Sequence, residues 1–348
     1  MAIMSALPGD ADPPPEGAAV LPEPTFKPSQ TAVEQIADVR AAPRDAWRTE
    51  PLARKAAYAR RQGEPVPRDA SPTVVDETLE RIFRNADFLP GWWLSAGAKR
   101  AEAVAKLTTA VEMGTGFLVS PWLMMTNHHV LDSAETAADT IAWFRYAEDE
   151  DGASQPSKVA LQPERCFLTS PADDLDYTVV AVAPVDGKPP GEAFGFIAMH
   201  GGVGKIVKGQ PVNVIQHPQG RHREVTLRNN TFSGPLVDAQ GVESPKYLLY
   251  DADTEPGSSG APLLSDSWQL IGLHHASEQQ RDARGQFVDL DGNPADASTP
   301  ESRRAWVANR GIRISAIVKD LSARTIDTSY GTEAPDLVSH LLGLGGNI

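Results

Sequence analysis

The chain has 348 residues, 41% of them hydrophobic, with a formal net charge of −14 and a pI near 5.0. That length can bury a sizeable core without covalent staples, and a single cysteine, Cys166, excludes an intramolecular disulfide. The acidic balance argues against a nucleic-acid partner, because the phosphate backbone would be repelled.

The opening MAIMSALPGDADPPPEGAAV has neither a basic start nor a continuous apolar run, so it does not read as a signal peptide. No stretch approaches the roughly 20 apolar residues of a membrane span. The expectation is a soluble, cytoplasmic protein that needs no membrane. Residues 1–30 are dense in Pro, Ala, Asp and Glu and are expected to be disordered. From 31 to 62 the composition suits short, marginal helices interrupted by Pro43 and Pro51, and a proline-containing linker runs to Pro72. Residues 1–72 are thus read as a disordered or marginally helical extension, a surface a regulatory partner could contact. The basic cluster Arg54, Lys55, Arg60 and Arg61 reads as a solvated helix face.

Val74, Val75, Leu79, Ile82 and Phe83 recur at helical spacing, which predicts a helix from about 73 to 85. Residues 73–101 are expected to dock on the body that follows, with Trp92 and Trp93 as packing residues. Beyond residue 100 the pattern changes to short apolar runs: GFLVS, LMMTNHHV, YTVVAVAP, PVNVIQHP, KYLLYDAD, APLLSD and LIGLHHA. Separated by Gly, Pro, Asp and Asn, they predict many short antiparallel strands in a barrel or sandwich. GIRISAIVKDLSART reads as a last strand running into a closing helix, and a tail from 324 to 348 carries a weak helix at APDLVSHLLGL.

Three segments carry the chemistry. GTGFLVSPWLMMTNHHVL ends an apolar strand in Thr-Asn-His-His-Val; DDLDYTVVAV leads an acidic turn into a strand; DTEPGSSGAPLLSDSWQLIGLHHA places a serine in a glycine-rich turn. Together they resemble trypsin-like serine peptidases, nearest to the bacterial glutamyl endopeptidases and their intracellular relatives, over roughly residues 100–320. The resemblance implies an all-β fold of two antiparallel six-stranded barrels (chymotrypsin-like), with the N-terminal extension and a short C-terminal helix added. The first barrel would span 102–190, and the second, with its closing helix, 191–323.

It further implies a triad of His129 as general base, Asp176 as the orienting acid and Ser259 as nucleophile. The base would be His129 and not His128, and the acid Asp176 in preference to Asp173 or Asp174. A serine hydroxyl is a poor nucleophile until an imidazole takes its proton, and a buried carboxylate holds that imidazole in the right tautomer. The N–H groups of Gly257 and Ser259 would form the oxyanion hole. Glutamyl endopeptidases place a threonine five residues before the nucleophile and a histidine fifteen after it; here those positions hold Thr254 and His274. Their hydroxyl and imidazole donors suit a substrate carboxylate, so cleavage of protein substrates after Glu, or Asp, is expected.

Ser258 stands where digestive trypsins carry an aspartate, so activation by a freed N-terminus is not expected. An α/β-hydrolase would need Gly-x-Ser-x-Gly, and Ala261 occupies the second glycine position. A catalytically degenerate protease-fold binding or scaffold module is the alternative. No metal or organic cofactor is expected: His128, His275 and Cys166 lack a recognisable ligand spacing, and GGVGK at 201–205 lacks the full phosphate-loop pattern.

Overall fold

The computed structural model describes residues 29–84, 88–150, 152–153, 155–282, 284–296, 298–300 and 303–345. Nearly all of the segment expected to be disordered, residues 1–28, lies outside the described residues. The chain then forms helices α1 (Gln30–Ala41), α2 (Leu52–Arg61), α3 (Pro72–Arg84) and α4 (Trp92–Glu102) before its first strand.

Strands β1 (Val104–Thr108), β2 (Met113–Leu118) and β3 (Leu123–Thr126) precede a short helix α5 (Ala134–Ala138). Next come β4 (Ile141–Phe144), a two-residue ribbon of β5 (Glu148–Asp149) with β6 (Gly152–Ala153), β7 (Ser157–Ala160), β8 (Phe167–Ser170) and β9 (Tyr177–Ala181). After α6 (Pro190–Phe194) the second half holds β10 (Val212–Gln216), β11 (Glu224–Thr226), β12 (Thr231–Val237) and β13 (Glu243–Asp251). It continues through β14 (Pro262–Ser265), β15 (Leu270–Gln279) and β16 (Trp306–Arg313), and closes with α7 (Ile314–Ala323) and α8 (Ala334–Leu344).

Two antiparallel seven-stranded sheets result, ordered β7-β4-β1-β2-β3-β9-β8 and β11-β10-β14-β15-β16-β13-β12. This is a chymotrypsin-like two-barrel arrangement, with one strand more in each sheet than the six expected. Strands β3 and β9, register-paired Leu123 to Ala181 through Thr126 to Thr178, are buried along their whole length. Both faces of that pair are covered, which is why their sequences are continuously apolar rather than alternating.

The helices are held by long-range contacts. Ser29 caps α1, accepting from the Ala32 N–H at 3.0 Å, while its own hydroxyl donates to the Val237 carbonyl at 3.0 Å. Ala32 and Ile36 bury against Leu236, Val237, Leu249 and Ala308 of the second sheet. Trp47, Tyr58, Val75 and Leu79 form a separate cluster around Val207. Burying a side chain of this size fully contributes about 1.5–3 kcal/mol, enough to order helices whose own propensity is marginal.

Trp93 of α4 packs on Trp268 at 4.8 Å between ring centroids. Each indole N–H is satisfied, Trp93 by the Asp266 carbonyl at 2.7 Å and Trp268 by the Trp93 carbonyl at 2.9 Å. At the other end α8 buries Ala334, Val338 and Leu341 in the main core. Among the described residues no helix is long and apolar enough to cross a membrane.

Candidate active site

His129 follows β3 in a turn that leaves the strand at Thr126. The turn is tied from both sides: the Leu131 N–H donates to the Asn127 carbonyl at 3.1 Å, and the Asn127 side-chain amide donates to the Asp176 carbonyl at 2.9 Å. Asp176 ends the acidic turn before β9, where its own N–H donates to the Pro171 carbonyl at 3.0 Å. It adopts φ +39°, a left-handed conformation that aspartate tolerates better than most residues.

The two loops meet at a carboxylate. Asp176 Oδ1 accepts the main-chain N–H of His129 at 3.0 Å, and Oδ2 lies 2.7 Å from His129 Nδ1. Asp176 is completely buried. Burial alone would raise its pKa, yet the bonds from His129 and His275 outweigh that and hold the carboxyl down at about 2. The neighbouring candidates go elsewhere. Asp174 pairs with Lys246, and His128 places Nδ1 2.7 Å from the Thr169 hydroxyl.

Ser259 sits in two consecutive turns. In the first, Ser258 N–H donates to the Glu255 carbonyl at 2.9 Å, with Pro256 and Gly257 between them and Gly257 at φ +94°. Proline followed by a residue of positive φ is the pattern of a type II turn. A Cβ on Gly257 would lie 2.9 Å from the His217 carbonyl oxygen and 3.0 Å from the Gln219 nitrogen, so only glycine fits. The second turn is closed by Ala261 N–H donating to the Ser258 carbonyl at 2.9 Å. The QHPQG segment packs behind this turn, Gln219 N–H donating to the Pro256 carbonyl at 2.5 Å.

Thr115 of β2 fastens the serine turns to the sheet that carries His129. Its N–H donates to the Ser259 carbonyl at 2.9 Å, and its hydroxyl donates to the Gly257 carbonyl at 2.8 Å. Gly114 lies between the two segments: a Cβ there would meet Val130 at 2.7 Å and the Ser259 carbonyl at 3.5 Å. The same hairpin carries Glu112, a mostly buried carboxyl that burial pushes up to about 7 despite the attraction of His129.

His275 is the residue sequence reasoning passed over. Adjacent residues of a strand face opposite sides, so the doublet in β15 sends its two rings in opposite directions. His275 brings Nδ1 to 2.6 Å from Asp176 Oδ2, and Arg310 Nη2 stands 2.9 Å from its Nε2. His274 is fully buried with Nδ1 2.5 Å from the Tyr250 hydroxyl. No local signal marks this contact; it arises from the folded register, in which His274 pairs with Gly311 and Ala276 with Arg310, which sets Arg310 beside residue 275.

Thr254 donates to Asn309 Oδ1 at 2.9 Å, as does Ser277, also at 2.9 Å. These three help line a cavity of about 350 Å³ together with Arg40, Asp251 and Trp306. His274 is not among its lining residues.

Among the described residues, one group of side chains approaches a metal-ligand arrangement: His129, Asp176 and His275, with donor atoms within 4.8 Å of one another. Both imidazoles are already within hydrogen-bond distance of one carboxylate oxygen, and a guanidinium lies at the far nitrogen of His275. That arrangement holds protons. Cys166 is buried and its thiol pushed up to about 12, chiefly by burial, so it is not a thiolate. The GGVGK loop packs under α2, where a Cβ on Gly204 would meet Ala57 at 2.5 Å.

A curated relative, the uncharacterized protein y4fB of Sinorhizobium fredii (strain NBRC 101917 / NGR234), is 34% identical over 336 residues, 91% of this chain and 49% of the relative. The chain therefore spans about half the length of that relative. Among solved structures, Deg5 is similar with a TM-score of 0.42 and 17% identity over 65% of this chain and 90% of that one. The Rv3671c protease of M. tuberculosis H37Rv, in its inactive form, is similar with a TM-score of 0.40 and 19% identity over 68% and 96%. The model of the trypsin-like peptidase domain matches residues 114–273, the stretch that contains His129, Asp176 and Ser259.

Proposed function

We propose that the chain is a serine endopeptidase working through an acyl-enzyme, with Ser259 as nucleophile, His129 as general base and later general acid, and Asp176 as the group that orients and charges against the imidazole. The observation that carries this reading is the buried Asp176 carboxylate bonded to both the ring and the main chain of His129. The Pro256–Gly257 turn supports Gly257 and Ser259 N–H groups as the oxyanion donors, since the Pro256 carbonyl accepts from Gln219 N–H and the trans peptide leaves the Gly257 N–H on the opposite side. Labelling of the wild-type protein, but not Ser259→Ala, by a fluorophosphonate probe tests it. An unlabelled wild type would favour a binding or scaffold module.

Cleavage after Glu, or Asp, is the finer part of the proposal, with Thr254 and His274 as the residues that receive the side chain. It is supported by the hydroxyl and amide groups of Thr254, Ser277 and Asn309 gathered at one cavity. Arg40 reaches the same cavity while engaging Asp251 at 2.5 and 2.8 Å, which offsets one of the carboxylates there. Replacing His274 by an apolar residue should remove the acidic preference selectively. An equal loss on every substrate would assign it to packing with Tyr250 alone. The division at 72, 101, 190 and 323, and a cytoplasmic role in a regulated cascade with a partner on the extension, complete the proposal. Limited proteolysis and a proteome-wide cleavage map of wild type against Ser259→Ala address them.

A further inference from the structure

The side of Asp176 remote from the serine turn holds a chain of polar groups that a triad alone does not require. Arg310 and His275 are both buried, and Arg310 Nη2 lies 2.9 Å from His275 Nε2. A guanidinium can only donate, so Nε2 must accept. The ring is therefore neutral with its proton on Nδ1, and that proton points at Asp176 Oδ2, 2.6 Å away. Oδ2 thus receives two imidazole N–H groups, from His129 and His275, while Oδ1 receives the main-chain N–H of His129.

We propose that Arg310 and His275 form a positioning pair that locks the catalytic carboxylate and sets the low-pH limit of activity; this rests on the triad reading above. Each N–H donated to Oδ2 takes up part of the negative charge that would otherwise stabilise a protonated His129. The Arg310 charge, polarising His275, strengthens that donation. His129 consequently gives up its proton at a lower pH than it would beside a carboxylate bonded to it alone.

The groups facing the pair come from several elements. Glu278 Oε1 of β15 is 3.5 Å from Arg310 Nε, and the Tyr247 ring of β13 lies 6.1 Å from the His275 ring and 5.0 Å from the Arg310 guanidinium carbon. Tyr247 in turn donates to the Asp174 carbonyl at 3.0 Å, beside the Lys246–Asp174 pair. Glu112 and Asp132 lie on the His129 side, where the Glu112 carboxyl is the group whose own titration near neutrality overlaps the limb to be measured. Burial drives the His275 pKa down, consistent with a ring that stays neutral.

The experiment is the pH dependence of kcat/KM on a fluorogenic peptide for wild type, His275→Ala, His275→Asn and Arg310→Met, each repeated in a Glu112→Gln background. The acid limb is expected to move up by about half to one pH unit in His275→Ala, less in Arg310→Met, and to return toward wild type in His275→Asn, whose amide restores a donor. A loss of kcat with the limb unmoved would make His275 a packing residue and overturn the proposal. If His275→Ala does not fold, nitrogen NMR of the wild-type protein decides: a proton found on His275 Nε2, or a ring that charges between pH 5 and 8, also overturns it. Failure of the fluorophosphonate probe to label Ser259 would sink the triad reading instead and leave the tautomer result standing.

Discussion

Asp176→Asn tests the centre of this site more sharply than removal of the serine, because the carboxylate serves three donors at once. Its pKa of about 2, below the ordinary aspartate value of 3.8, means that the ionised form stabilises the fold relative to a neutral one by roughly 2 kcal/mol. That stabilisation is fully present above pH 3.8 and is lost as pH falls through about 2, so it is intact at neutrality. An amide cannot satisfy the same donors in either orientation. With its oxygen toward the two imidazoles, its NH₂ faces the main-chain N–H of His129, which sits 3.0 Å from Oδ1. With NH₂ toward the imidazoles, it meets the His275 Nδ1–H that Arg310 holds in place, and it forces His129 into the tautomer that cannot accept the serine proton. One donor–donor contact adds about 1–3 kcal/mol. Urea unfolding followed by tryptophan fluorescence at pH 7 should therefore show a loss of about 3–5 kcal/mol, and kcat/KM should fall by about 10⁴. Unchanged stability, or a loss of activity below tenfold, would refute the role given to Asp176.

Three further outcomes follow from single side chains. Gly257→Ala should lower kcat by about 10²–10³ with a smaller change in KM, since a side chain at φ +94° and 2.9 Å from the His217 oxygen must turn the oxyanion donor away; steady-state kinetics reads it. Lys205 is nearly buried, with burial and the charges of Arg61 and Arg313 pulling its pKa down to about 7. The unfolded chain keeps that proton up to about pH 10.5, so the penalty is full below pH 7 and relieved as pH rises toward 10.5. Lys205→Met should raise the unfolding free energy at pH 6 by roughly 2–4 kcal/mol, with the advantage shrinking in alkaline solution. His217 is completely buried and held down at about 3 by desolvation, its Nδ1 bonded to the Arg221 carbonyl at 3.0 Å. Its unfolded form protonates near 6.5, so the native state loses stability as pH falls from 6.5 toward 3. His217→Asn, which keeps a donor for that carbonyl, should flatten the decline in denaturation curves between pH 6 and 4.

What the chain disclosed in advance, and what it withheld, follow from how far apart the interacting residues lie. The His129, Asp176 and Ser259 segments were readable because each is a strand followed or preceded by a turn of distinctive chemistry, and Pro256–Gly257 announces its turn without outside help. Arg310 carries no such mark. In VANRGIR it is one of two arginines in a strand, and only the β15–β16 register, with its shift between His274 and Ala276, brings it to the Asp176 side of the site. The helices between residues 31 and 62 were expected to be marginal for a similar reason. The side chains that order them, Leu236, Val237, Leu249 and Ala308 for α1 and Val207 for α2, lie well over one hundred residues downstream. Local propensity reports the cost of forming such a helix but not the surface that offsets it. The doublet His274–His275 shows the limit most clearly. Two identical neighbours have identical local signals, yet the alternation of a strand sends one to Tyr250 and the other to Asp176, so their roles diverge entirely through what the opposite faces meet.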